Sequence, residues 1–105
     1  RVLFRSIGAN VLETEIDETD LLFIDTWHCY DQLFAELTKH APKVKKYIAF
    51  HDTQTYGTRS EEFMGRVGSN GLLPAIIHYL IENPNTWQFK IHRTNNNGLT
   101  VIERV

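Results

Sequence analysis

Asp20-Leu21-Leu22-Phe23-Ile24-Asp25 sets four consecutive apolar residues between two carboxylates, and its reading decides the fold. A short strand that is apolar at every position is buried on both faces, as in a parallel sheet covered by helices. Tyr47-Ile48-Ala49-Phe50 is a second such run, ended by His51-Asp52. Between them Tyr30, Leu33, Phe34, Leu37 and Ala41 recur at helical spacing, and Pro42 stops the helix. Upstream, Val2 to Ile7 reads as a strand ended by Gly8-Ala9-Asn10. Downstream, residues 53–68 carry Gly57, Gly65 and Gly68 among polar residues and read as loop, with one helical turn at Ser60–Met64.

A second helix is expected from Leu72 to Glu82. Ser69 or Asn70 caps it, Pro74 sits in its first turn, and Leu72, Leu73, Ile76, Ile77 and Leu80 form its buried stripe. Asn83-Pro84 ends it. Trp87–Arg93 and Leu99–Arg104 then alternate as strands, and Asn97-Gly98 supplies the positive φ of a tight hairpin turn. The expectation is one α/β domain over residues 1–105: a mostly parallel sheet with helices and a C-terminal antiparallel hairpin.

The 105 residues are 42% hydrophobic, which excludes a disordered or collagen-like chain. Eleven Lys+Arg against thirteen Asp+Glu, with no basic block, argue against a nucleic-acid partner. No apolar run approaches the roughly 20 residues of a spanning helix, so no membrane role is expected. Cys29 is alone and forms no internal disulfide, which fits a reducing, cytoplasmic setting. The start at Arg1 rather than Met reads as a processed, truncated or incompletely sequenced product.

In an open α/β sheet, ligands bind outside the carboxyl ends of the strands. One such end delivers Asp25, Thr26, Trp27 and His28; the other delivers His51, Asp52 and Thr53. If these strands are neighbours, the clusters share one crevice. Paired carboxylates with hydroxyl and water oxygens suit a hard cation such as Mg²⁺. Either imidazole, titrating at about 6.5 when unperturbed, suits a general base. Each feature also has a structural explanation, since Asp commonly ends a turn and His51 can be a hydrogen-bonded structural histidine. His40, His78 and His92 are too scattered, with one Cys, for a structural zinc site, and His78 reads as a surface or rim residue. Gly65-x-x-Gly68-x-x-Gly71 lacks the spacing and preceding strand of a dinucleotide fingerprint. It reads as part of a mobile loop whose reaching side chains are Tyr56 and Arg59.

Taken in order, Asp20–Asp25, His28 and Tyr30, Glu36-Leu37, Ala41-Pro42-Lys43-Val44 and Phe50-His51-Asp52-Thr53 resemble the C-terminal half of a class I S-adenosylmethionine-dependent methyltransferase. The resemblance is to the branch with cephalosporin-hydroxylase-like and rhamnosyl O-methyltransferase-like proteins. Gly71–Ile76, the Trp87 strand and Asn97–Arg104 extend it, over about residues 10–104. It implies a partial Rossmann-like sheet whose last strand is antiparallel and inserted beside its neighbour. Val2–Ile7 would be the third strand, Asp20–Asp25 the fourth, Tyr47–Phe50 the fifth, and the hairpin the sixth and seventh. Metal-dependent members bind the cation through residues matching Asp25 and Asp52, with Thr53 here where an Asn often completes the set. His28 or His51 would then be the candidate catalytic base for the acceptor hydroxyl, with Asn10 and Asp25 as cofactor-side residues.

The family's glycine-rich turn and ribose-holding acid have no counterpart, so the chain is expected to be a C-terminal portion lacking the N-terminal cofactor motif. The function implied is O-methyl transfer to a small-molecule or sugar hydroxyl, with S-adenosylmethionine as cofactor and Mg²⁺ assisting, once the N-terminal half is supplied. The alternative is a non-catalytic structural or dimerising module, with a second copy of the chain as partner. A third reading, a mononuclear iron oxygenase using His28, His51 and Asp52, has only residue types in its favour.

Overall fold

A computed structural model describes residues 2–6, 16–25, 30–53, 57, 62–63, 66–67, 71–95 and 98–105, with 2–6, Asp25, 62–63 and 66–67 described by backbone alone. Five strands form one sheet in the order β1-β2-β3-β7-β6. They are β1 (Val2–Ser6), β2 (Thr19–Asp25), β3 (Val44–His51), β6 (Trp87–Arg93) and β7 (Leu99–Arg104). Helix α1 (Tyr30–His40) links β2 to β3, and α2 (Leu72–Glu82) precedes the β6–β7 hairpin.

The sheet is mixed rather than mostly parallel. β1 with β2 and β2 with β3 are parallel, whereas β3 with β7 and β7 with β6 are antiparallel. The reason is topological: the hairpin does not simply extend the sheet edge in chain order. Its second strand inserts against β3, leaving β6 outermost and running in the direction of β3.

Side chains alternate across the sheet. Leu22 and Ile24 of β2, Ile48 and Phe50 of β3, and Ile102 of β7 are all buried and join one core cluster with Leu33 and Leu37 of α1 and with Leu72, Ala75, Ile76 and Tyr79 of α2. Leu21, Phe23, Tyr47 and Val101, at the intervening positions, are only partly buried. Both helices therefore pack on one face of the sheet. Where α1 meets α2, the Tyr30 hydroxyl is hydrogen-bonded to His78 Nδ1, and His78 stacks on Phe34 with centroids 4.3 Å apart. Glu82 Oε1 lies 2.8 Å from His78 Nε2. The rim histidine thus ties the two helices together.

Several boundaries differ from the sequence expectation. β3 begins at Val44 rather than Tyr47, because exposed Lys45 and Lys46 interrupt the apolar pattern inside the strand. α1 ends at His40 and runs into a 3₁₀ turn, Ala41–Lys43, where Pro42 cannot donate to a continuing helix. α2 has Gly71 at its N-cap with no side-chain cap; Ser69 and Asn70 lie outside the described residues. Glu62–Phe63 and Arg66–Val67 pair as short antiparallel strands β4 and β5, where one helical turn was expected at Ser60–Met64.

Arg104, at the end of β7, closes the far side of the fold. Its Nε donates to Val44 O at 2.7 Å, and one terminal nitrogen lies 3.3 Å from Ala41 O and 3.4 Å from Pro42 O. Its guanidinium sits 4.8 Å over the Trp87 ring. It thereby links the end of β7 to the turn between α1 and β3. Arg104→Ala is expected to lower stability by about 1.5–3 kcal/mol in urea denaturation; a change below about 0.5 kcal/mol would remove Arg104 from this role.

Burial pushes the Tyr79 hydroxyl above its ordinary pKa, with Arg104 partly opposing. The folded state then holds this proton more tightly than the unfolded chain does. The associated stability is complete below about pH 10 and is lost as pH rises toward the higher folded value. Tyr79→Phe is expected to flatten the alkaline fall of the melting temperature above about pH 10, and an unchanged fall would assign it to other groups.

Candidate functional site

β2 and β3 are parallel neighbours, with Leu22 opposite Ile48 and Ile24 opposite Phe50. The next residues along, Asp25 and His51, therefore end adjacent strands on the same edge of the sheet. The two acid- and histidine-bearing strand ends of the sequence are brought side by side.

Past His51 the backbone turns sharply. Asp52 has φ 62°, a left-handed conformation that costs a non-glycine residue about 1–3 kcal/mol and persists only where the surroundings impose it. Asp is among the residues that tolerate it best. Three contacts impose it here. Asp52 N–H donates to Gly98 O at 3.1 Å, and Gly98 itself takes φ 99° in the β6–β7 turn. Thr53 is fully buried, and its Oγ1 accepts from Thr100 Oγ1 at 2.9 Å. Gly57 presses on the other side, where an added Cβ would lie 2.3 Å from Thr53 O. Gly57 O accepts from Leu73 N–H at 2.9 Å, which joins the turn to the start of α2.

This turn aims the Asp52 carboxylate at its neighbour: Oδ1 lies 3.2 Å from His51 Nδ1. His51 is about one-third exposed and Asp52 less so. With the carboxylate accepting from Nδ1–H, the neutral imidazole carries its lone pair on Nε2. Phe23 of β2 flanks the ring, with centroids 6.4 Å apart. The arrangement is a base with an orienting carboxylate, at the carboxyl edge of parallel strands.

Of the residues singled out from the sequence, His51 and Asp52 are brought into contact, and Asp25 is placed beside them by backbone register. Thr53 adjoins them, but its hydroxyl is directed to Thr100. His28, Asn10, Tyr56 and Arg59 lie outside the described residues. Among the described residues no group of three or more His, Cys, Asp or Glu is arranged to hold a metal. The residues missed are Thr100 and His92, whose ring Nδ1 lies 2.7 Å from Thr100 Oγ1. No local pattern announces them, since their role follows from β7 pairing with β3. An apolar groove of about 400 Å³, lined by Ile77, Leu80, Ile81, Pro84, Trp87 and Phe89 among others, lies between α2 and β6. Among the described residues no helix is long and apolar enough to cross a membrane.

No known protein family, curated protein or solved structure is found to match the chain.

Gly57→Ala is expected to destabilise the protein by about 1–3 kcal/mol, because Cβ and the Thr53 carbonyl cannot share that space. Its NMR amide shifts should change most at Asp52, Thr53 and Gly98. Changes confined to residue 57 and its chain neighbours would contradict the packing described.

Proposed function

We propose that the chain carries the acceptor side of a methyl-transfer site, acting on the hydroxyl of a small molecule or sugar with S-adenosylmethionine as methyl donor. The observation that carries the reading is the strand-end pairing: Asp25 beside His51-Asp52, with Asp52 held at positive φ against His51. The antiparallel β7, inserted beside β3, supports it, because the methyltransferase sheet that the sequence resembles ends on such a strand. The lone Cys29 agrees with a cytoplasmic enzyme.

In this reading His51 Nε2 takes the proton from the acceptor hydroxyl as its oxygen attacks. Asp52 keeps the ring in the correct tautomer and stabilises the imidazolium that forms. Phe23 packs beside the ring and limits its swing. Bound S-adenosylmethionine would supply an electrophilic methyl group. A divalent cation would be held by the Asp25 and Asp52 carboxylates, with the remaining ligands supplied by water and the acceptor oxygen. Thr53 serves the turn instead, since its hydroxyl is buried against Thr100. Such an ion would lower the pKa of the acceptor hydroxyl.

Transfer of an isotopically labelled methyl group from S-adenosylmethionine to a panel of sugar and phenol hydroxyls, with a glycine-rich cofactor-binding half supplied to the chain, tests the proposal. Label is expected in at least one acceptor, with His51→Ala slower by about 10²–10⁴-fold. Label transfer that His51→Ala leaves unchanged, or no transfer to any acceptor, would overturn it.

A further inference from the structure

Tyr30, the first residue of α1, and His78 and Glu82, one turn apart on α2, form a hydrogen-bonded relay where the two helices meet. His78 Nε2 lies 2.8 Å from Glu82 Oε1. An ionised carboxylate only accepts, so Nε2 carries the proton of the neutral ring. The lone pair is then on Nδ1, and Nδ1 is the atom that meets the Tyr30 hydroxyl. The phenol O–H therefore donates to His78. Stacking fixes the ring in this orientation: its centroid is 4.3 Å from that of Phe34, with the planes 15° apart, and it lies within 10° of parallel to Tyr30. A stacked ring and one hydrogen bond already join the helices. What the Glu82 carboxylate adds is chemical, because it selects the tautomer with a basic Nδ1 and stabilises an imidazolium if one forms.

We propose that Tyr30 is an acyl-accepting nucleophile toward small activated esters, with His78 as its general base and Glu82 as the positioning residue. A nucleophile bonded to a base that a third group orients is the logic of the serine hydrolase triad, here with a phenol in place of the alcohol. The Tyr30 oxygen attacks the carbonyl carbon of the ester while its proton passes to His78 Nδ1. The bond from the acyl carbon to the leaving oxygen then breaks, and the proton departs from His78 with that oxygen. The products are an O-acyl ester of Tyr30 and the free alcohol or phenol, with no other reactant consumed.

The relay is open to a small ester, since the His78 and Glu82 side chains are 39% and 58% exposed and Tyr30 is only partly buried. Two other tyrosines serve as internal references. Tyr79 is buried, and Tyr47 lies under Lys90, whose Nζ is 5.7 Å from the ring centroid. The inference uses none of Asp25, His51 and Asp52, so it stands apart from the methyl-transfer reading.

The test is exposure of the chain to p-nitrophenyl acetate, with acetylation of each tyrosine followed in time by peptide mass spectrometry, in the wild type and in His78→Phe, His78→Gln and Glu82→Leu. In the wild type Tyr30 is expected to be acetylated about 10²-fold faster than Tyr47. His78→Phe keeps an aromatic ring in the stack, and His78→Gln keeps an acceptor for the phenol, but neither supplies a base. Both are expected to bring Tyr30 down to the rate of Tyr47 while the Tyr47 rate itself stays unchanged. Glu82→Leu is expected to slow Tyr30 and to abolish the one-sided Nε2–H signature of His78 in long-range ¹H–¹⁵N NMR. A contact that serves packing alone predicts the opposite sign, because removing the imidazole uncovers the phenol oxygen and leaves Tyr30 reacting no slower. That outcome overturns the proposal. So does a wild-type Tyr30 acetylated no faster than Tyr47, a comparison that decides the matter even if a variant does not fold.

Discussion

The antiparallel pairing of β7 against β3, from Tyr47 opposite Glu103 to His51 opposite Leu99, constrains both ends of the molecule. At one end β7 brings Gly98 and Thr100 against the turn that follows His51. In its middle Ile102 enters the core opposite Ile48. At the other end Arg104 takes up the carbonyls of Ala41, Pro42 and Val44, where α1 hands the chain to β3. Without this strand, β3 would have a partner on only one side, and neither of its ends would be anchored. The inserted position of β7 is thus a requirement of the fold and of the candidate site alike.

The site illustrates how strain becomes informative. A left-handed Asp costs free energy, and here it is imposed by a backbone hydrogen bond, a buried hydroxyl pair and a glycine with no room for a side chain. What this arrangement achieves is a carboxylate set against His51 Nδ1 at the carboxyl edge of two parallel strands. Adjacent residues in an extended strand point to opposite faces. The turn at Asp52 is therefore what lets two consecutive side chains meet.

Much of the architecture is legible in the sequence because burial leaves a periodic trace. The run Leu21–Ile24 between two acids, the apolar stretch of α2 and Trp87–Arg93 each lie in an element of the structure, but the buried face of α2 is Leu72, Ala75, Ile76 and Tyr79 with Ile77 exposed, and in β6 Trp87 is buried while Phe89 is exposed. Where burial and polarity disagree locally, the trace fails: Lys45 and Lys46 hide the first half of β3. The place of β7 beside β3 is one that the family resemblance implied, with its last strand inserted antiparallel beside its neighbour; no residue pattern in the hairpin announces it, because tertiary packing decides it. The same holds at the site. His51 and Asp52 stand out by type and place, whereas Thr53, Thr100 and His92 are ordinary strand and turn residues until the register sets them in line.

The central claim is that the ends of β2 and β3 form a site for methyl transfer, and calorimetric titration of the chain with S-adenosylmethionine, with and without Mg²⁺, tests it most directly. The account predicts saturable Mg²⁺ binding that disappears in the Asp25→Ala, Asp52→Ala double variant while the fold persists, with the methyl donor bound only when a glycine-rich cofactor-binding half is supplied. Absence of Mg²⁺ heat from the folded chain, or of methyl-donor heat once that half is supplied, would contradict it.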